Sequence, residues 1–269
     1  MFLYVGGFPA TMSDTSSHVP GEAVSLPDAV YVQLGGVPTV VVDQHHHAYP
    51  HLHFLERKPA LLLHIDHHDD MTAPLTPTIE QLASEAHPHD LMTYTATSLG
   101  MGSFLCPAFH YGLVGGLYHW DPREESVTCY GRPAAALFVG APQTTDQGGR
   151  LRWQGDDGTP GYRPPSVETG LVATVAELAA YRGPLVVDID LDAFVDATDP
   201  DYDPSFPGVP DAATYRLQVC TELLQHAPRP DLITIAESSV HEGVLTPPQL
   251  VKPLLNELLV KLDGVYANH

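Results

Sequence analysis

Positive charge is scarce in this chain: 12 Lys and Arg stand against 33 Asp and Glu, a formal net charge of −21. Nucleic-acid binding needs basic surface to neutralise phosphates, so the balance argues against DNA or RNA as a partner. It favours cationic partners instead, either metal ions or a positively charged substrate. Cysteine is nearly absent. Cys106, Cys129 and Cys220 are odd in number and far apart, which argues against a disulfide framework and against a CxxC zinc site. No apolar run approaches the roughly 18 to 20 residues needed to span a bilayer, so no membrane partner is expected. The start, MFLYVGGFPATMSD, has neither a basic n-region nor an apolar h-region, and a cytoplasmic protein is expected. Internal repeats are also lacking.

Histidine, by contrast, is in surplus. Eight of the 16 histidines fall between His45 and His68, and histidine is the commonest metal ligand and proton carrier near neutral pH. The remaining composition, 43% hydrophobic and 17% charged over 269 residues, is that of a globular protein with a substantial core. Apolar runs suggest strands at 38–42, 60–65, 126–130, 135–140, 184–191 and 231–236. Helical patterns suggest helices at 78–86, 96–106, 168–182, 211–226 and 247–262, the last with Thr246 as cap and Pro247 in its first turn. Strands with nearly all-apolar interiors, alternating with helices, predict an α/β architecture: three layers, with a central, mostly parallel sheet flanked by helices. The whole of 1–269 is read as one domain. Two stretches rich in turn formers stand apart, an irregular segment at 1–29 and an excursion at 142–166 that suits a hairpin or a lid.

Ligands of open α/β sheets sit beyond the carboxyl ends of the strands. Four runs deliver polar side chains there: PTVVV into DQHHHAYPH (43–51), ALLLHI into DHHDD (66–70), PLVV into DIDLD (188–192) and DLITIA into ESSVHEG (237–243). Buried carboxylates repel one another, and a bound cation removes that repulsion. Asp66, His68 and Asp70 recur at i, i+2 and i+4, and Asp190 and Asp192 at i, i+2, so each set tends to point one way. Mixed carboxylate and imidazole ligands suit Mn²⁺, Fe²⁺ or Zn²⁺. So many carboxylates suggest two ions sharing bridging aspartates.

Asp-x-His-x-Asp at 66–70 resembles the metal motif of the arginase and agmatinase (ureohydrolase) superfamily. That superfamily also has an earlier strand ending in a His ligand, a position that His45 of DQHHHA fits, and a later strand ending in Asp-x-Asp. PLVVDIDLDAF aligns with the later strand without a gap, making Asp190 and Asp192 the pair and leaving Asp188 at a non-ligand position. IAE at 235–237 is similar to the strand end whose Glu contacts a guanidinium, here Glu237. The D-x-H-x-H-A segment (Asp43 to Ala48), the DIDLD-F pattern (188–194) and SFLCPAFHYGLVGGLYHWDP (103–122) resemble, more narrowly, a family of uncharacterised arginase-like proteins whose bacterial members include peptide arginases. The likeness covers most of 40–262. The Gly-Gly-Asp-His-Ser signature of arginases, the Asp-Pro after the later pair, and the loop that reads the α-amino acid end of free arginine are absent. A longer or modified substrate fits better.

The resemblance implies a binuclear Mn²⁺ hydrolase of guanidino groups, two ions per chain. Asp66 and Asp190 would bridge, His45 and Asp70 would complete one position, and His68 and Asp192 the other. Asp70 would pass a proton to the leaving amine, Glu237 would hold the cationic end of the substrate, and His47 is the runner-up to His45 as ligand and otherwise a substrate contact. Asp43 is suited to orient a ligating histidine. The expected partner is an arginine-containing precursor peptide, converted to ornithine and urea, or a small guanidino compound as in agmatinases. Members of the superfamily form homo-oligomers. A deacetylase-like amidohydrolase with one Zn²⁺, or a non-enzymatic metal-binding protein, are the competing readings.

Overall fold

The computed structural model describes residues 29–72, 91–131, 144–145, 151–154, 160–161, 166–206, 208–239 and 245–267. The expected helix at 78–86, the expected strand at 135–140 and nearly all of the 1–29 segment lie outside these residues. Eight strands form one sheet: β1 (Val30–Leu34), β2 (Val37–Val42), β3 (Ala60–Ile65), β4 (Val114–Trp120), β5 (Ser126–Tyr130), β9 (Ser166–Gly170), β10 (Leu185–Asp190) and β11 (Leu232–Ala236). Their order is β1-β2-β11-β10-β3-β4-β5-β9. The five central strands, β2 to β4 in that order, are parallel to one another, and antiparallel pairs (β1 with β2, β4 with β5, β5 with β9) close the two edges. Within the excursion at 142–166, β6 (Thr144–Thr145), β7 (Leu151–Gln154) and β8 (Pro160–Gly161) pair as a small antiparallel sheet.

Helices cover both faces, as the continuous apolar strands require. On one face α4 (Leu171–Ala180), α5 (Asp211–Leu224) and α6 (Pro248–Tyr266) set Leu178, Leu217, Leu254 and Leu258 against Leu61, Leu63, Val187 and Ile189. On the other, α1 (Tyr49–Leu52), α2 (Leu91–Ser98) and α3 (Leu105–His110) set Tyr49, Tyr94 and Leu105 against Leu62 and Val186. The alternation along β3 and β10 sends odd and even residues to opposite cores. The result is a three-layer α/β structure.

Several local expectations differ from the structure. The stretch 96–106 is not one helix. Gly100 is extended (φ −120°, ψ 168°) and its N–H donates to Ser103 Oγ at 2.9 Å, which ends α2 and starts a 3₁₀ turn at Met101–Ser103 before α3. The expected helix at 168–182 begins only at Leu171, because 166–170 pairs with β5, Val167 opposite Cys129 and Thr169 opposite Val127. β4 contains Gly115 and Gly116, which weaken a strand reading in isolation; parallel pairing with β3 makes it a strand all the same. Thr246 does not cap α6. Pro247 occupies the cap position, and the buried Thr246 hydroxyl has no hydrogen-bond partner among the described residues.

Candidate metal centre

Each chemistry-bearing segment begins where a parallel strand ends. β2 stops at Val42, and a 3₁₀ turn over His45–Ala48 buries His45. β3 stops at Ile65, and Asp66 follows, its N–H donating to Trp120 O at 3.2 Å. β10 ends on Asp190 itself. Asp66 and Asp190 then make the same local turn. Asp66 Oδ1 accepts from His68 N at 2.7 Å, and Asp190 Oδ1 from Asp192 N at 3.2 Å. An aspartate that binds the backbone two residues on is a standard way to turn a chain. Here it spends one carboxylate oxygen on the turn and leaves the other facing inward.

The inward oxygens meet at His45. Its Nδ1 lies 3.0 Å from Asp66 Oδ2, 3.0 Å from Asp70 Oδ2 and 3.1 Å from Asp190 Oδ2. Its Nε2 is 3.0 Å from Asp188 Oδ2. Asp188 also takes His64 Nδ1 at 2.8 Å and the Thr234 hydroxyl. His64, Asp188 and Thr234 are lateral neighbours in the registers of β3, β10 and β11, all buried. With Nε2 engaged by Asp188, His45 aims Nδ1 at the carboxylates, where a cation would take the place of the ring proton. Beside this group, His68 Nδ1 lies 3.1 Å from Asp192 Oδ2 and 3.7 Å from Asp66 Oδ1. Two trios therefore offer ligand atoms to a cation, His45–Asp66–Asp70 and Asp66–His68–Asp192, with Asp66 common to both. A third, His45–His64–Asp188, is equally compact. Its carboxylate is already engaged by three hydrogen-bond donors, so it orients the histidines instead.

The donor set fits divalent cations on a direct test. Buried polar atoms normally have partners. Here His45 Nδ1, Asp66 Oδ2, Asp70 Oδ2 and Asp192 Oδ1 are buried without a hydrogen bond, and the first three face one another. All four are hard or borderline donors of the kind that Mn²⁺, Fe²⁺ or Zn²⁺ accept.

Electrostatics report the same crowding. Burial, then the neighbouring Asp66 charge, pushes Asp70 up to about 6. Burial, then Asp190 and Asp66, pushes Asp192 well above the usual carboxylate range. Burial also opposes charge on Asp66, but the close imidazoles of His45, His64 and His68 outweigh it and hold Asp66 well below that range. The Asp192 hydrogen bond leads those that raise His68 to about 11. Burial disfavours a charged His64, yet the bonds to Asp188 and Asp66 raise it to about 10. Protons on the histidines are the protein's own counterweight to the carboxylates, and a divalent cation would take their place.

A cleft of about 380 Å³ opens onto this cluster, lined by His45, His68, Asp69, Asp70, Asp190 and Asp192 together with Thr72, Met101, Gly102, Ser238 and Leu245. Asp70 (φ 49°) and Ser238 (φ 43°) are the non-glycine residues with positive φ among those described. Such conformations cost energy and concentrate at functional sites. The structure thus brings together His45, Asp66, His68, Asp70, Asp190 and Asp192. It does not bring His47 or Glu237 to the described cleft wall. His47 is buried with its ring 4.5 Å from that of His46. Glu237 is half-buried, its N–H on Val42 O at 2.9 Å. The next residue, Ser238, enters the cleft and donates its hydroxyl to Asp190 Oδ2. Asp43 does not orient a ligating histidine. That place is taken by Asp188, and Asp43 Oδ1 accepts from Ser239 Oγ at 2.7 Å. Sequence reasoning also passed over His64, whose one signal is a lone imidazole inside an apolar strand.

No known protein-family profile matches the chain, and no curated protein matches it. Among solved structures, the chain is similar to one titled a hypothetical agmatinase from Burkholderia thailandensis, at 16% identity and a TM-score of 0.41. The match covers 85% of this chain and 58% of that one, so the chain spans under two thirds of its neighbour's length.

Proposed function

We propose that the protein is a hydrolase of guanidino groups dependent on two divalent cations, Mn²⁺ by preference, acting on the arginine side chain of a precursor peptide. The observation that carries this reading is the set of buried, unpartnered ligand atoms converging from three strand ends. His45, Asp66, Asp70 and Asp190 would hold one ion, and Asp66, His68, Asp190 and Asp192 the other. When bound, such ions act as Lewis acids and lower the pKa of a shared water. The side chains do the rest. Water adds to the guanidinium carbon, and the C–N bond to the alkyl amine breaks. Asp70, which lines the cleft, is suited to take the proton from water and deliver it to the leaving nitrogen. The products are urea and an amine, ornithine when the substrate is an arginine residue. Glu237, at the end of β11, and His47 are proposed to contact the substrate once it is bound.

The cleft wall supports a substrate without a carboxylate near the reacting end. Among the described residues no Lys or Arg lines it, whereas Asp69, Asp70, Asp190 and Asp192 do. A peptidyl arginine has its carboxyl group in an amide, and a guanidino amine such as agmatine has none. Free arginine carries one that these residues repel. Incubation with Mn²⁺ and arginine-containing peptides, agmatine and free arginine tests the reading. Release of urea, with loss of the mass of cyanamide from the peptide, is expected. Agmatine turnover alone would shift the substrate to a small guanidino amine, and turnover of none of the three would overturn the proposal.

A further inference from the structure

Asp121 and Arg123 follow β4 and contribute no side chain to the cleft wall, yet they join two of the segments that form it. Arg123 is largely buried. Its Nη1 donates to Asp121 Oδ1 at 3.1 Å and to the carbonyl of Ala193 at 3.0 Å. Its Nη2 donates to the carbonyl of Asp192 at 2.9 Å, and it reaches Asp196 Oδ2 at 3.1 Å and Asp199 Oδ2 at 3.3 Å. The other Asp121 oxygen, Oδ2, takes His67 Nδ1 at 2.7 Å. His67 immediately precedes His68, and its ring packs edge-on against that of His68 at 4.9 Å. One ion pair therefore grips the turn that carries His68 and the turn that carries Asp192. Arg216 adds a grip on the second turn through the carbonyl of Phe194 at 2.8 Å. None of these bonds reaches His45 or Asp70, whose placement depends on Asp188 and on the backbone beyond β2 and β3.

We propose that Asp121 and Arg123 are positioning residues that set the separation of His68 from Asp192, and so govern one of the two cation positions without governing the other. The inference rests on the two-cation reading above. A planar guanidinium holds several acceptors in fixed directions, which a lysine ammonium on a flexible stem does not reproduce. Without it the carbonyls of Asp192 and Ala193 lose charge-assisted donors, and the turn relaxes. Loss of a group that orients metal ligands typically costs about 10–100-fold in affinity.

Titration of metal-free protein with Mn²⁺ alone, by calorimetry and by electron paramagnetic resonance, tests this on wild type, Arg123→Lys and Asp121→Asn. Wild type should take two ions and show the spectrum of a coupled pair. Arg123→Lys should keep the first affinity and lose about 10–100-fold in the second, with isolated-ion signals persisting past one equivalent. Asp121→Asn leaves the bonds from Arg123 to the two carbonyls available, and should weaken only the second step, by less. If Arg123→Lys does not fold, judged by circular dichroism, Asp121→Asn decides. Two unchanged steps, or two steps weakened alike, would overturn the clamp. A wild type that binds fewer than two ions would instead overturn the two-cation reading, and the clamp with it.

Discussion

At the scale of the residue, Asp188 does the most to define the centre without facing the cleft. Its two oxygens take three donors, from His45, His64 and Thr234, which fixes Nδ1 of His45 on the carboxylate side. Asp188→Asn keeps the shape but turns an amide N–H toward one of those donors. It should weaken Mn²⁺ binding by about 10–100-fold while circular dichroism stays native; unchanged affinity would show that His45 needs no such support. Why Asp66, His68, Asp70, Asp190 and Asp192 could be read from sequence is physical. Alternate residues at a strand end share a direction, so spacing carries geometry. His64 and Ser238 have no such spacing, and Asp188 acquires its role only from the lateral register of three strands distant in sequence.

At the scale of the element, four of the five central strands were legible because they are covered on both faces and read as unbroken apolar runs; β4, interrupted by Gly115 and Gly116, was not. The edges were not. β1 is mostly exposed and β9 is made of Ser, Val, Glu, Thr and Gly, so pairing alone defines them. The β1–β2 turn shows what such pairing demands. Gly35 and Gly36 have φ of 53° and 84°, as a two-residue hairpin requires. A Cβ on Gly35 would lie 2.3 Å from the backbone carbon of Tyr266 at the end of α6. Gly35→Ala should therefore cost on the order of 3 kcal/mol in chemical denaturation. The turn sits at the opposite end of β2 from His45, so cation stoichiometry should not change. A neutral effect on stability would contradict the close approach.

At the scale of the whole molecule, a charge of −21 and a cleft walled by carboxylates act on any cationic substrate before contact. Raising ionic strength should lower kcat/KM for a cationic arginine peptide, mainly through KM, because the field is screened within about 10 Å at 0.1 M salt. Salt-independent kcat/KM would remove charge from the account of substrate choice. Among the described residues no helix is long and apolar enough to cross a membrane.

The central claim is that the converging carboxylates and imidazoles hold two cations, and elemental analysis tests it most directly. Wild-type protein and Asp66→Ala would be reconstituted with Mn²⁺, desalted and measured. The account predicts about two equivalents in wild type, and loss of both in the variant, since Asp66 is common to the two ligand groups. A single Zn²⁺, or no metal after reconstitution, would contradict it.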